Sequence, residues 1–420
     1  MMLKHLLGGV GEIMKTTNSH KTGFRLVEVI FIMVVTTILG IVIGASIIFI
    51  DNSKQALISC RNDVLIDDSI KQLVDTYNLI INNYYEEVDQ ATLINSAIKS
   101  MLDSLEDPYS LFMDDEQSIS FDDRMQGDYS GIGAEISLNE EGKVIVVKIF
   151  NNSPAQEAGL KPNDIIFKVD NKPTEGLTTM EVASLLKGKS KTKVTVTVIR
   201  DKQQINFDII RNKIVIESVT TQTHTKNNKK IGYIKIDLFS DNTYKQFKDR
   251  LIKLENQKIN SLIIDVRDNT GGYLNRVSEM ISLFLDKNKV IYQLANRTTT
   301  KKIYSYTDEK RDYPIIVLIN KYSASASEIM AAALKESYGA TIVGEKSLGK
   351  GTVQQTVRLE NGGMLKYTIQ KWLTPKGNWI NGTGIKPDAE VIQPTDYYQQ
   401  PTATNDLQLQ KALEILSQLK

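Results

Sequence analysis

The stretch PIIVLINKYSASASEIMAAALKE, residues 314–336, decides the fold of this chain. It begins with PIIVLIN, a charge-free aliphatic run that is typical of a strand buried on both faces, as in a parallel sheet. A serine-rich turn follows, and an alanine-rich helix begins at Ser325 or Ser327. This order of strand, turn and helix predicts an α/β core with chemistry at the carboxyl ends of its strands.

The alternation continues on both sides of this stretch. Strand-like and helical segments follow one another from residue 231 onward: IGYIKI (231–236), a helix near 244–256, SLIIDVRD (261–268) and a helix near 275–285. Three segments rich in glycine or serine fall at strand ends: DNTGG (268–272), SASASE (323–328) and GEKSLGKGTVQ (344–354). We therefore predict one site built from these three segments.

A serine and a lysine in these segments can supply a nucleophile and a base without histidine. Of the three histidines, His5 and His20 precede an apolar run, and His224 is predicted to fall in a Lys/Asn-rich loop. A Ser-His-Asp arrangement therefore has no plausible base. Ser325 opens a helix, where unpaired amides point outward, and Lys350 occupies a glycine-rich turn.

Both residues also have a purely structural explanation. Ser325 and Glu328 together form a legitimate helix capping box, and Lys350 can be a structural lysine in a turn. GEKSLGKGT nearly matches a phosphate-binding P-loop, but Gly351 stands where a magnesium-binding Ser or Thr belongs. The strand-like TVQQTVRL follows where a P-loop requires a helix, so nucleotide binding is disfavoured.

Composition narrows the class of protein. The 420 residues are 41% hydrophobic, enough for two or three buried cores. Lys and Arg number 51 against 50 Asp and Glu, so no electrostatic argument supports a nucleic-acid partner. The single cysteine, Cys60, cannot form an intrachain disulfide, and we predict neither a cofactor nor a metal site.

Residues 29–50 form an uncharged apolar run of 22 residues. At about 1.5 Å per residue it is long enough to cross a hydrocarbon core of roughly 30 Å. Four basic residues precede it: Lys4, Lys15, Lys21 and Arg25. The sequence thus predicts a single N-terminal transmembrane helix, with residues 1–28 in the cytoplasm and the chain after Asp51 outside.

Two alternatives for this segment stay open. One is a cleaved secretory signal, although the run is long for such a signal and lacks an obvious A-x-A exit. The other arises because GFRLVEVIFIMVV, residues 23–35, resembles a prepilin-type leader with Glu28 fifth after Gly23. Arg25 replaces the usual threonine, and processing would fall between Gly23 and Phe24.

Residues 53–127 are predicted to be a helical N-terminal region. Apolar residues recur at three-to-four spacing over 70–84, and a second helix follows over 93–105. The segment LEDPYSLFM, residues 105–113, ends this helix at Asp107-Pro108, because proline forbids continuation. We interpret both helices as packing or dimerisation elements, which leaves a homodimer open.

Residues 128–211 change to short β-branched runs separated by turns, with one short helix near 180–186. This domain resembles a PDZ domain, on SGIGAEI (130–136) and NNSPAQEAGLKPNDIIFKVDNKP (151–173). The resemblance implies that a glycine-rich loop captures a peptide carboxylate, the adjacent strand pairs with the peptide, and the late helix lines the groove. The carboxylate-binding residues implied are Ser130, Gly131, Ile132, Gly133 and Ala134.

Over residues 77–391 the chain resembles the carboxy-terminal processing peptidases, tail-specific serine proteases in which a PDZ domain precedes a Ser-Lys catalytic core. The motifs that carry the resemblance are LEDPYSLFM, the PDZ stretch, DVRDNTGG, NKYSASASEIMAAALKE, GEKSLGKGTVQ and LTPKGNWINGTGIKPD. It implies that Ser325 is the nucleophile, Lys350 the general base and Gln354 the residue that orients the lysine amine. It further implies an oxyanion hole formed by the amides of Gly271 or Gly272 and of Ala326, with Thr270 in place of the usual proline.

The resemblance implies a multidomain α/β protein with a crotonase-like protease core over 212–396. The residues after it, 397–420, are predicted from their own pattern to be a polar linker (397–405) and an amphipathic C-terminal helix (406–420). The function expected is a membrane-anchored serine endopeptidase of the bacterial cell membrane, with its catalytic part extracytoplasmic. Its substrates would be polypeptides with flexible, apolar C-terminal tails, and binding of the tail would help to align the active site. The alternatives are a membrane-anchored PDZ adaptor with a silent core and a crotonase-like hydrolase of small acyl compounds.

Overall fold

The computed structural model describes residues 68–360, 362–402 and 404–419. The predicted transmembrane segment 29–50 lies outside these residues, and none of the helices within them is long and apolar enough to cross a membrane. The chain divides into two compact units, residues 1–90 and 91–420. In the first unit, helix α1 (Asp68–Asn83) is amphipathic as predicted and has no buried residue.

The second unit begins with helix α2 (Gln90–Asp103), which ends four residues before the predicted boundary at Asp107. The short strand β1 (Leu111–Met113) and helix α3 (Asp115–Gln126) come next, and the sequence did not predict either of them. A capping box of Asp114 and Gln117 starts α3, and Gly127 ends it in the left-handed conformation.

The predicted PDZ-like domain is β-rich, with two helices. Its central sheet has the order β3-β4-β5-β7-β8 with β6 beside β5, and a separate ribbon pairs β2 with β9. The strands are β2 (Asp128–Gly131), β3 (Ala134–Leu138), β4 (Val144–Ile149), β5 (Ile165–Val169), β6 (Lys172–Pro173), β7 (Lys193–Arg200), β8 (Gln203–Ile210) and β9 (Asn212–Val215). The helices are α4 (Pro154–Ala158) and α5 (Thr179–Leu186). Because β3 lies at the sheet edge, its outer side is free to pair with a peptide.

The predicted α/β core is a six-stranded sheet of order β10-β11-β12-β15-β16-β19, parallel except at β10. Its strands are β10 (Val219–Lys226), β11 (Lys229–Ile236), β12 (Ser261–Asp265), β15 (Ile315–Ile319), β16 (Thr341–Gly344) and β19 (Ala389–Glu390). The helices that follow them are α6 (Thr243–Asn256), α7 (Leu274–Ser282) and α8 (Ala326–Ala333), which continues as a π-helical turn (Leu334–Tyr338). His224 therefore belongs to strand β10 and not to a loop.

Side chains of β12 alternate between the two faces of this sheet. Leu262 and Ile264 pack into the core shared with α6, α7 and α8, whereas Ile263 packs into the core on the opposite face. That opposite face is covered by the C-terminal helix α10 (Leu407–Gln418), through residues such as Leu409 and Leu416. The short helix α9 (Thr395–Gln399) precedes α10. The helix predicted over 406–420 thus packs against the core on this second face of the sheet.

A second sheet, largely absent from the sequence prediction, stands beside the core. Its order is β1-β18-β13-β14, with β17 also paired to β18. The strands are β13 (Val290–Ala295), β14 (Thr300–Tyr304), β17 (Thr352–Arg358) and β18 (Met364–Leu373). Only β17 was predicted, as the continuation of the glycine-rich turn. Through the pairing of β1 with β18, the segment that follows α2 reaches the neighbourhood of Gln354 on β17.

Candidate active site

Ser325 lies in the turn between β15 and α8, directly before the helix. Its backbone has φ 55° and ψ −115°, a conformation that L-residues rarely adopt. Strained strand-to-helix turns of this kind expose the hydroxyl of a nucleophilic serine. Gly271 packs so closely against it that an added Cβ would lie 2.9 Å from Ser325 Cβ, so position 271 tolerates only glycine.

The neighbouring serines, Ser323 and Ser327, have structural roles. Ser323 Oγ donates to the carbonyl of Val266 at 2.8 Å, and Ser327 Oγ donates to the carbonyl of Asn269 at 2.8 Å. The two bonds join the turn before α8 and its first residues to the segment that follows β12. Ser325 is only half-buried and faces the cavity described below.

Glu328 does more than cap the helix, which is the role that the sequence indicated. Its fully buried carboxylate accepts a hydrogen bond from the Ser325 amide at 2.8 Å, as a capping box requires. It also accepts from the amides of Gly349 (2.7 Å) and Lys350 (2.9 Å) and from Ser347 Oγ (2.6 Å). Burial raises the pKa of Glu328, and the four hydrogen bonds oppose that rise. One side chain thus joins the Ser325 turn to the Lys350 turn.

Lys350 is half-buried, and its environment favours the neutral amine. Burial lowers the pKa of Lys350 to about 8, and the nearby positive charge of Lys366 adds to the lowering. The carboxylates of Asp107 and Glu328 oppose it. The amine nitrogen lies 4.7 Å from the centre of the Tyr109 ring. Within the described part of the chain, no hydrogen bond joins this amine to Ser325 or to Gln354.

Gln354, on β17, contacts two threonines instead of the lysine. Its Nε2 donates to Thr352 Oγ1 and to Thr368 Oγ1, each at 2.9 Å. These bonds fix which end of the amide carries the donors, so its oxygen remains available as an acceptor. The residue missed by the sequence interpretation is Thr368, which nothing in the local pattern of β18 distinguishes.

The candidate oxyanion amides differ in their present partners. Asn269 Oδ1 accepts from the Gly271 amide at 2.9 Å, while Asn269 Nδ2 donates to the carbonyl of Ile236. No described residue accepts from the amides of Gly272 and Ala326. The sequence did not distinguish Gly271 from Gly272 as the donor to the oxyanion. Because the Gly271 amide is already hydrogen-bonded to Asn269, the Gly272 amide is the better candidate.

A cavity of about 540 Å³ brings most of these residues together. Five of the predicted site residues line it: Gly271, Gly272, Ser325, Lys350 and Gln354. Further lining comes from α3 and from Lys366 on β18. Segments separated by about 80 residues in sequence therefore meet in one place, as predicted for strand ends of an α/β core. Within the described residues, no cluster of carboxylate, histidine or cysteine side chains has the arrangement of a metal site.

The PDZ-like domain carries a second, smaller cavity of about 70 Å³ between β3 and α5. Of the predicted carboxylate-binding residues, Gly131, Ile132 and Ala134 line it. Ser130, on β2, and Gly133, which turns at φ 79°, do not line it. The amides of Ile132 and Gly133 have no acceptor among the described residues, which suits a loop that binds an anion.

Lys187, directly after α5, contacts both the groove and α3. It lines the small cavity, and its amine lies 2.6 Å from the Asp123 carboxylate. Because α3 also lines the active-site cavity, this ion pair joins the predicted peptide groove to the wall of the catalytic site.

Family models match three parts of the chain. Peptidase family S41 matches residues 230–391, which include Ser325, Lys350 and most of the α/β core but not strand β10. A PDZ domain matches residues 130–210, and the N-terminal domain of the activating protease CtpB matches residues 49–117.

Several curated relatives are similar to this chain over most of its length. The carboxy-terminal processing protease CtpB of Bacillus subtilis is 39% identical over 90% of this chain and 78% of its own. CtpA of the same organism is 36% identical over 90% of this chain and 79% of its own. A probable CtpA-like serine protease of Staphylococcus aureus is 34% identical over 90% of this chain and 75% of its own.

Proposed function

Since the chain belongs to the carboxy-terminal processing proteases of peptidase family S41, and is therefore a PDZ-containing serine endopeptidase, we propose that it cuts polypeptides with a Ser325-Lys350 dyad. The observation that carries the proposal is the shared cavity, which is lined both by a strained serine and by a lysine whose pKa is lowered to about 8. A neutral lysine can accept a proton, whereas an ammonium group cannot.

The reaction proceeds through an acyl-enzyme. Lys350 takes the Ser325 hydroxyl proton as Oγ bonds to the scissile carbonyl carbon. The amides of Gly272 and Ala326 stabilise the resulting oxyanion. Collapse breaks the C–N bond as Lys350 returns the proton to the leaving amine, and water then hydrolyses the Ser325 ester.

The present position of the amine, over the Tyr109 ring, requires a rotation of the Lys350 side chain before this proton transfer. A lysine side chain has four rotatable bonds, so the movement needs no change in the backbone. We infer that Gln354 receives the amine through its free amide oxygen. An uncharged acceptor orients the amine without strongly favouring its ammonium form.

Substrate choice follows from the PDZ groove. We propose that the Ile132 and Gly133 amides bind the C-terminal carboxylate of a flexible tail whose apolar end enters the small cavity between β3 and α5. The Lys187–Asp123 ion pair supports the expectation that tail binding helps to align the active site.

Amidation of the substrate's C-terminus is therefore expected to lower kcat/KM about 10- to 100-fold. Hydrogen bonds to a charged group contribute about 1.5–3 kcal/mol of binding free energy, and the amidated C-terminus carries no charge. The measurement compares cleavage of one unstructured polypeptide as free acid and as amide by the full chain in detergent. Equal rates for the two forms would argue against recognition of the tail by the PDZ domain.

We further propose that residues 29–50 hold the enzyme in the bacterial cell membrane with its catalytic part outside the cytoplasm. The support is the sequence alone: an uncharged run of sufficient length preceded by basic residues. The full chain should remain in the membrane pellet after carbonate extraction, and a chain lacking 29–50 should not. Recovery of the full chain in the soluble fraction would contradict the proposal.

A further inference from the structure

The segment Asp107-Pro108-Tyr109, between α2 and β1, has no role in the mechanism described so far. It lies within the region matched by the CtpB N-terminal domain, ahead of the PDZ domain. Yet the Lys350 amine lies 4.7 Å from the centre of the Tyr109 ring. A part of the chain outside the S41 match thus contacts the proposed base.

Asp107 is held firmly by its own loop. Its carboxylate accepts from Ser110 Oγ at 2.6 Å and from the Tyr109 amide at 3.1 Å. Ser110 Oγ in turn accepts from the Thr368 amide at 3.0 Å, and Leu111 pairs with Lys366 of β18. The loop therefore has a fixed position relative to β18.

Asp107 reaches Gln354 through one hydroxyl group. Thr368 Oγ1 donates its only proton to the Asp107 carboxylate at 2.6 Å. Since a carboxylate can only accept, the direction of this bond is determined. The hydroxyl oxygen must then act as the acceptor toward Gln354, and it accepts from Nε2 at 2.9 Å.

The direction of each bond has a consequence at the next residue. With its NH₂ end committed to two threonine hydroxyls, the Gln354 amide presents its oxygen on the remaining side. In a flipped amide, the NH₂ group of Gln354 would face the Lys350 amine. A hydrogen bond from that NH₂ group to the neutral amine would occupy the nitrogen lone pair, which could then not accept the proton of Ser325.

We propose that Asp107 and Tyr109 are positioning residues of the protease. Asp107, acting through Thr368, fixes the orientation of the Gln354 amide, and the Tyr109 ring holds the Lys350 amine beside the cavity until it turns toward Ser325. This inference rests on the proposed Ser325-Lys350 mechanism and extends it to the N-terminal segment.

The charges around Lys350 predict what a substitution of Asp107 does to the pH profile. The groups that face the amine are Lys366 from β18, Glu328 from α8 and Asp107 from the loop before β1. Loss of the Asp107 charge removes one of the two carboxylates that favour the ammonium form. Asp107→Asn should therefore move the acid limb of the pH profile of kcat/KM to lower pH and should also lower the plateau that kcat/KM reaches at high pH. If the role of Asp107 were merely structural, the plateau would fall and the acid limb would stay in place.

A double-mutant cycle tests the path through Thr368. Thr368→Val and Gln354→Ala should each lower kcat about tenfold with little change in KM. In both variants the Gln354 amide oxygen no longer orients the Lys350 amine. The double variant should be no worse than the worse single variant. Thr368→Ser, which keeps the hydroxyl, should restore most of the rate, and Thr300→Val on the exposed part of β14 serves as a matched control.

Two further variants test the ring. Tyr109→Phe keeps the aromatic face and should remain within about twofold of the wild type. Tyr109→Ala admits water to the amine, so the pKa of Lys350 should rise toward its ordinary value and the acid limb should move to higher pH.

Full activity of Thr368→Val, or additive losses in the cycle, would overturn the path through Asp107. An unshifted profile for Tyr109→Ala would overturn the role of the ring. These failures are distinguishable from failure of the mechanism itself, which would appear as cleavage that survives Ser325→Ala. Melting temperatures identify any variant that fails to fold. If Thr368→Val or Tyr109→Ala fails to fold, Thr368→Ser and Tyr109→Phe still test the proposal.

Discussion

Ser325→Ala should abolish peptide cleavage, with a loss of kcat/KM of about 10⁴-fold or more. The substitution removes the only atom that forms the acyl-enzyme, and what remains of the site can bind but not attack. The change should scarcely affect folding, because Ser325 is half-buried and its amide, which alanine retains, keeps the hydrogen bond to Glu328. The measurement is digestion of an unstructured polypeptide with a free apolar C-terminus, followed by mass spectrometry.

Ser327→Ala is the informative comparison for this variant. Its hydroxyl lies two residues away in the same motif but donates to the buried carbonyl of Asn269. Its loss should lower the melting temperature slightly while cleavage persists, since one buried hydrogen bond contributes about 0.5–1.5 kcal/mol and the Asn269 carbonyl still accepts from the Ala324 amide. Cleavage that survives in Ser325→Ala and disappears in Ser327→Ala would reverse the assignment. Absence of cleavage by the wild type with every tail would instead favour a PDZ adaptor with a silent core.

Lys350→Ala should lower kcat/KM about 10³-fold or more while leaving the fold intact. General-base catalysis contributes about 10²–10⁴-fold, and no histidine is available to replace the amine. His224, the one histidine within the described residues, lies on β10 and does not line the active-site cavity. Lys346→Ala, an exposed lysine in the same turn, is the matched control and should retain wild-type turnover.

The same assignment fixes the pH dependence of the wild type. With a pKa of about 8, Lys350 is mainly protonated at neutral pH and mainly neutral above pH 8. The value of kcat/KM should therefore rise about tenfold per pH unit on the acid side and level off above pH 8. Near wild-type turnover of Lys350→Ala, or a profile that falls as pH rises through this range, would contradict the role of Lys350 as base.

Lys366 offers an independent check on this electrostatic argument. Its positive charge lowers the pKa of Lys350, so Lys366→Met should move the acid limb to higher pH. Lys371→Met, an exposed lysine on the same strand, should leave the limb in place.

Much of the arrangement could be read from the sequence because it depends on short-range patterns. Apolar runs predicted strands β11, β12 and β15, and the helices after them began within a few residues of the predicted positions. Parallel strands align their carboxyl ends, so three separate segments were predicted to form one site. The lining of the cavity by Ser325, Lys350 and the two glycines agrees with that prediction. The helix of the PDZ groove was likewise predicted from its position after the β-rich runs.

The sequence was less informative where a contact joins residues that are far apart in the chain. The antiparallel sheet containing β13, β14 and β18 was mostly missed, because such strands gain their stability from cross-strand partners and not from a strong local pattern. Helix α3 was missed because its apolar residues are few, although Asp114 and Gln117 form a capping box.

The sequence by itself determined the family, the α/β core and the identity of the candidate nucleophile and base, since these follow from motifs a few residues long. Only the tertiary structure decided that Glu328 joins the two reactive turns, that the Gly271 amide is already engaged by Asn269, and that Asp107 reaches Gln354 through Thr368. The physical reason is that a hydrogen bond needs two groups within about 3 Å in a fixed orientation. Residues separated by some 250 positions meet that condition only after the strands that carry them have paired.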